Sequence, residues 1–171
     1  MMGHKVEVML FKVAVMIILL GSPGVLATEC STQCPTAFTV KHLKSCYLFL
    51  YAPGTEATWY EANAYCATQN AHLLTIETSA EYYYILGRIR AWGKTGHNVW
   101  TGNNDISGRW QWAGGPCFDT TSMRYTHWGH GQPDNSKGRE HCIHLYSPFS
   151  LKMNDVACYS KYNFICEINL K

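Results

Sequence analysis

With 171 residues, 47% of them hydrophobic and 13% aromatic, the chain is long enough for one good core and short for two, so one domain is the expectation. Fourteen Lys and Arg against twelve Asp and Glu leave a net charge of +2 and no basic stripe, which argues against a nucleic-acid partner.

In chain order, residues 1–27 read as a signal peptide. Lys5 and Lys12 form a basic flank, residues 13–20 are an unbroken apolar run, and Val25-Leu26-Ala27 ends on a small residue suited to cleavage. The run falls short of the ~20 apolar residues that span a bilayer, and no other stretch is apolar enough to do so. A secreted chain without a membrane span, its mature domain covering 28–171, is therefore expected. All eight cysteines lie beyond the cleavage point, and an even set in an exported chain reads as a disulfide framework rather than a metal site. Spacing alone leaves on the order of 100 pairings open.

Residues 34–51 alternate enough for a hairpin, with Phe38, Val40, Tyr47, Phe49 and Tyr51 as its apolar positions. Thr58 stands three before Glu61, a capping box, and Trp59, Ala62, Tyr65 and Cys66 recur at helical spacing to about Gln69. A short buried strand follows over 71–74. A second capping box, Thr78 with Glu81, opens a helix that turns Tyr82, Ile85, Leu86 and Ile89 inward, leaves Tyr83 and Tyr84 exposed, and stops at Gly93. Beyond it the helical period disappears. Val99-Trp100-Thr101-Gly102 and Trp110-Gln111-Trp112 read as strands, with the three tryptophans assigned to the core. Residues 113–131 have little regular pattern, and a loop this long in a compact domain is usually functional or disordered. Residues 143–151 read as a further strand, and the last strand, 162–167, returns toward the amino-terminal one.

The stretch 132–158 gathers hard oxygen donors between two cysteines. Gln132, Asp134, Glu140, Asn154 and Asp155 offer three carboxylates and two amide carbonyls, the mixture that Ca2+ takes in its flexible coordination of roughly six to eight oxygens. Trp128 sits just upstream, where an aromatic face could stack on a ligand. His127 and His130 flank Trp128-Gly129, and His141 and His144 flank Cys142-Ile143, so a zinc site is conceivable, but residues three apart on a strand point to opposite faces, so His141 and His144 could not easily chelate one ion. The chain has no His-Glu-x-x-His helix and no Gly-x-Ser-x-Gly elbow, so it does not read as an enzyme.

These residues carry a resemblance. The chain resembles the C-type lectin-like domain family over essentially its whole mature length, close to the galactose-type lectins of insects. The family's loop tripeptide is Glu-Pro-Asn for mannose-type ligands and Gln-Pro-Asp for galactose-type; here it is Gln132-Pro133-Asp134, with Glu140 eight residues after its first member. The second element, Trp-Asn-Asp before a cysteine, is matched by Asn154 and Asp155 before Cys158, with Met153 in place of the Trp. The resemblance implies an α+β C-type lectin-like fold, two helices flanking small antiparallel sheets with long ligand loops, stabilised by disulfides in its long form. It implies Cys34–Cys46, Cys66–Cys166 and Cys142–Cys158, leaving Cys30 and Cys117 either to pair with each other or to bridge to a second chain in a homo- or heterodimer. It implies Ca2+ held by Gln132, Asp134, Glu140, Asn154 and Asp155, with the same side chains and Trp128 contacting galactose-type glycans on microbial or cell surfaces, in innate immunity. Two departures stand out: Asn135, Ser136, Lys137 and Gly138 occupy the loop where many galactose-type sites carry a Trp, and His141 stands where an auxiliary Ca2+ site has an Asp, leaving Asp105 alone there. The alternative is a lectin-like module that binds a protein partner, as salivary or venom members of the family do, with little or no sugar binding.

Overall fold

In the computed structural model, which describes residues 30–171, the first hairpin forms from β1 (Val40–His42) and β2 (Ser45–Leu50), joined through Leu43 in a left-handed conformation. The signal peptide expected over 1–27 lies outside the described residues. Thr58 caps α1 (Trp59–Thr68): its hydroxyl accepts from the Glu61 N–H at 3.2 Å, while the Glu61 carboxylate accepts from the Thr58 N–H at 2.8 Å. Two amides of the first turn are thereby satisfied reciprocally. The helix buries Trp59, Ala62 and Cys66; Tyr65, expected on the same stripe, stays 40% exposed with its ring edge-on to Phe164. After β3 (His72–Leu73) comes α2 (Ser79–Ala91), which buries Tyr82, Ile85, Leu86 and Ile89. Its capping box is only half formed. Thr78 accepts from the Glu81 N–H, but the Glu81 carboxylate accepts from the Glu77 N–H and the Tyr47 hydroxyl instead of the Thr78 N–H. Gly93 ends the helix with φ at 66°, its N–H donating to the Arg90 carbonyl at 2.9 Å, a conformation that costs glycine little. Of the three adjacent tyrosines, Tyr83 is exposed, but Tyr84 is half-buried because it stacks on His42 with ring centroids 3.8 Å apart.

The remaining strands are β4 (Val99–Asn104), β5 (Gln111–Trp112), β6 (Thr121–Ser122), β7 (Cys142–Tyr146), β8 (Lys152–Val156) and β9 (Asn163–Asn169). β9 is central: it pairs antiparallel with β2, from Ser45 opposite Asn169 to Leu50 opposite Phe164, and more briefly with β3. It runs parallel to β4, so the sheet is mixed rather than antiparallel throughout; the intervening chain crosses back before entering β9. β7 then pairs antiparallel with β4 and with β8. The strand expected to continue to residue 151 ends at Tyr146, where Ser147-Pro148-Phe149 forms a 3-10 turn and Pro148 has no N–H to give a ladder.

Side-chain alternation along these strands splits the core into two layers. Ile165 of β9, Val99 of β4 and Ile143 of β7 pack with α2 on one face; Phe164, Trp100 and Cys142 pack with α1 on the other. Trp100 and Trp112 are fully buried, whereas Trp110 is half-buried and set against Trp128 with ring centroids 5.6 Å apart. The long segment 113–131 is pinned rather than loose: β6 pairs with β5, Gly115 and Phe118 exchange backbone hydrogen bonds, and Phe118 stacks on His72 at 4.2 Å. Disulfides join Cys30 to Cys117, Cys34 to Cys46, Cys66 to Cys166 and Cys142 to Cys158, and no cysteine is free. The two described ends lie side by side, the Lys171 N–H donating to the Ser31 carbonyl at 3.2 Å and the Leu170 N–H to Lys44. Among the described residues no helix is long and apolar enough to cross a membrane.

On the α2 side the core contains acid. Glu167 is buried, its carboxylate accepting from the Thr75 N–H and hydroxyl at 3.0 Å, and Glu81 lies close enough to feel its charge. Burial, followed by neighbouring glutamate charge, pushes both carboxyls up to about 7. The folded protein therefore holds these protons more tightly than the unfolded chain, whose glutamates release theirs near ~4.3. Stability from this pair is fully present below that value and drains away as pH rises toward 7. Thermal melts should show a midpoint that falls across this window, and Glu167→Gln, which keeps the amide in place of the neutral acid, should flatten the slope.

Candidate functional site

β7 and β8 build the floor of the site. Their register sets His144 opposite Asn154 and Ile143 opposite Asp155, and the Cys142–Cys158 disulfide clamps the strand ends next to it. The loop between residues 131 and 141 folds over this floor, entered through a cis Gln132–Pro133 peptide. Asp155 anchors the loop: its side chain is fully buried, and its two carboxylate oxygens accept from the Asp134 N–H at 3.1 Å and the Asn135 N–H at 2.7 Å. Within the loop, the Ser136 N–H donates to both the Asp134 and Glu140 carboxylates, and Asn135 accepts from the Glu140 N–H at 3.1 Å.

This brings the five expected oxygen donors together. One carboxylate oxygen from each of Asp134, Glu140 and Asp155 lies within 4.8 Å of the others. A cavity of about 310 Å3 is lined by Gln132, Asp134, Glu140 and Asn154 together with His144, Tyr146, Phe149 and Tyr162. No Lys or Arg makes an ion pair with the three carboxylates among the described residues. The Gln132 Oε1 is buried without a hydrogen-bond partner among those residues. Asn154 points its Nδ2 at the His144 Nε2, 3.1 Å away, and at the Asp155 carbonyl, which leaves its Oδ1 as the atom free to bind a cation. Three clustered carboxylates, an orphaned amide oxygen and a second free one make a donor set that fits a hard cation such as Ca2+. The electrostatics agree: Glu140 is raised by its burial and further by the Asp155 and Asp134 charges, a repulsion that a cation would relieve.

Several site residues were not foreseen from the sequence. His144 is buried under Tyr162 and Tyr146, with ring centroids 4.7 and 5.1 Å away, and burial pushes its imidazole down to about 3, so it stays neutral and accepts from Asn154. Tyr146, Phe149 and Tyr162 supply aromatic surface to the cavity. Phe149 can lie where it does because Gly129 lacks a side chain: a Cβ there would sit 2.3 Å from the Phe149 ring. Strand alternation puts His144 and Tyr146 on one face, and the Cys142–Cys158 link turns that face toward Asn154, which is the signal the sequence holds for them.

Trp128 lies apart from the oxygen donors. It is not among the cavity residues. The Gly129 N–H donates to the Met153 carbonyl at 2.8 Å and the Met153 N–H to His127 at 2.9 Å, so this segment lies alongside β8 and the Trp128 ring packs against Trp110 and the core. A ring committed to that packing is not a free stacking face. The His141 Nδ1 lies 2.9 Å from Asp105, so an imidazole, not a second carboxylate, meets Asp105.

The Lectin C-type domain family model matches residues 55–168. Perlucin of Haliotis laevigata is 36% identical over 137 residues, covering 78% of this chain and 82% of perlucin. C-type lectin BfL-2 of Bungarus fasciatus is 32% identical over 171 residues, covering 97% of this chain and 98% of BfL-2. Among solved structures, the mouse scavenger receptor C-type lectin carbohydrate-recognition domain aligns with a TM-score of 0.67 at 26% identity, covering 81% of this chain and all of that domain.

Proposed function

Because the chain belongs to the C-type lectin domain family, whose members are generally binding proteins rather than enzymes, we propose that it is a Ca2+-dependent, galactose-type lectin, secreted after cleavage near Ala27 as a single domain over 28–171. The observation that carries this reading is the meeting of the Asp134, Glu140 and Asp155 carboxylates within 4.8 Å beside the orphaned Gln132 Oε1. Gln132, Asp134, Glu140, Asn154 and Asp155 would hold the ion. A bound Ca2+ would supply direct coordination for a vicinal pair of sugar hydroxyls. The protein's own groups set the hydrogen bonds around that pair: the Asp134 and Glu140 carboxylates accept hydroxyl protons, and the Gln132 amide donates. The likeness to insect galactose-type lectins belongs to this proposal and rests on Gln132-Pro133-Asp134.

Retention on galactose resin in millimolar Ca2+, with release by EDTA, tests the reading. Retention that survives EDTA would sink it. Acidification should release the protein in the same way, because the carboxylates must be ionised to hold the ion. The Gln132→Glu/Asp134→Asn exchange keeps one amide and one carboxylate, so the net ligand charge is unchanged while donor and acceptor sides swap. It should move preference from galactose toward mannose by about 1 to 2 kcal/mol, the scale of one or two mispaired hydrogen bonds, read by competition with the free sugars. A wild type that prefers mannose would refute the polarity argument.

One observation favours a second reading, a module that binds a protein partner. The Asn154 Nδ2 is already committed to His144 and the Asp155 carbonyl, so one amide that could donate to a sugar hydroxyl is engaged elsewhere. Binding of a partner undiminished by EDTA and by free galactose would favour it.

A further inference from the structure

Glu140 lines the cavity described above, but its neighbours Arg139 and His141 line another, of about 380 Å3, together with Tyr60, Asp105 and Tyr159. Tyr159 is 77% exposed and Tyr60 41%, and their rings lie 5.3 Å apart, presenting aromatic surface at its mouth. Exposed rings of this kind supply large contact area at little conformational cost. The two acid–base neighbours differ in availability. Asp105 is already paired with the His141 Nδ1 at 2.9 Å, whereas the exposed Arg139 guanidinium has neither a hydrogen bond nor an ion pair with any described residue. The result is an aromatic-walled cavity in which Arg139 is the charged group without a partner among the described residues, one residue along the chain from the first site.

We propose that this second cavity is a subsite for an anionic substituent, a carboxylate or a sulfate, on a saccharide whose neutral hexose occupies the first site. The planar Arg139 fork suits either group, and the Tyr60 and Tyr159 rings flank the sugar ring that carries it. The proposal rests on the sugar-binding reading above for its neutral half only. It would make the protein a selector of acidic glycans, with the ion site supplying the anchor and Arg139 the discrimination.

The test is calorimetric titration of the full mature chain, in Ca2+ and low salt, with a neutral β-galactosyl disaccharide, its form sulfated on the neighbouring sugar and its form sialylated at the galactose 6-position, both of which leave the galactose 3- and 4-hydroxyls free. Wild type should bind at least one charged form about fivefold more tightly than the neutral one, the scale of an exposed but unscreened ion pair, and the advantage should shrink at high salt. Arg139→Gln should abolish that advantage while leaving neutral binding unchanged, and Arg139→Lys should keep part of it. A preference confined to the sulfated form identifies sulfate as the anion, and one confined to the sialylated form identifies carboxylate. Equal affinity for all three ligands, or a preference that survives Arg139→Gln, overturns the proposal. If the neutral galactoside does not bind at all, the galactose reading falls by itself. The subsite is then tested by NMR titration of the charged ligands in EDTA, where shifts at Arg139 and Tyr159 that vanish in Arg139→Gln support it and their absence overturns it.

Discussion

Asp155→Ala should abolish Ca2+-dependent retention on galactose resin and also cost the fold about 2 to 4 kcal/mol, because this side chain serves two purposes at once. It is one of three carboxylates gathered within 4.8 Å, and it is the buried acceptor for the Asp134 and Asn135 amides that shape the loop. Truncation leaves two donors without a charged partner, and each loss of that kind is worth about 1 to 3 kcal/mol. Asp155→Asn separates the two roles. It keeps one acceptor oxygen for one of the two amides and sets an NH2 that cannot accept against the other, so about half of that stability should remain, while the missing charge weakens the ion site. Thermal melts with Ca2+ titration of both variants would decide it; an Asp155→Ala protein that still binds galactose would rule out the coordination scheme.

Removing the Cys66–Cys166 bridge as the Cys66→Ala/Cys166→Ala pair should cost the most stability of any single disulfide. It closes a separation of 100 residues and fastens α1 to the central strand β9, for which chain-entropy arguments give about 4.7 kcal/mol, a fall of roughly 15 to 20 °C in melting temperature. Cys142–Cys158 closes only 16 residues and should cost about 3 kcal/mol when removed. Its loss should nevertheless reduce sugar binding more, because it clamps β7 and β8 beneath the donor loop. A melting temperature that barely moves in the first variant would show that β9 is held by its pairing with β2, β3 and β4 without the bridge.

Both helix starts were legible because a Thr three residues before a Glu offers orphan amides a local partner. The half-formed second box marks the limit of that reading: Glu81 has a long-range suitor, the Tyr47 hydroxyl on β2, which no local pattern announces. The parallel pairing of β4 with β9 was invisible for a similar reason, since alternation says which residues face inward but not which strand lies beside which. At the site, the oxygen donors were readable as residue types at fixed spacing. The environment of Asn154 was not, because it depends on the register of β7 against β8, and that register places a buried neutral His144 across from it. The packing of Trp128 was not legible either, because it depends on its backbone lying along β8, which sets the half-buried ring against Trp110.

The pairing of β2 with β9 has an architectural consequence. The hydrogen bonds from Leu170 to Lys44 and from Lys171 to Ser31 gather both described ends at one pole, and none of the cavity-lining residues comes from those segments. A stalk, a second copy or an unrelated domain could be joined at either end without crossing the mouth of the site. Several such units fixed by that pole would present their sites outward together, and linkage of this kind raises effective affinity by a factor on the order of 100 to 10,000 with no new contact to the ligand. A weak, shallow site would thus become useful by being repeated, and the pairing of β2 with β9, which brings the two ends together, is what makes the repeat simple to build.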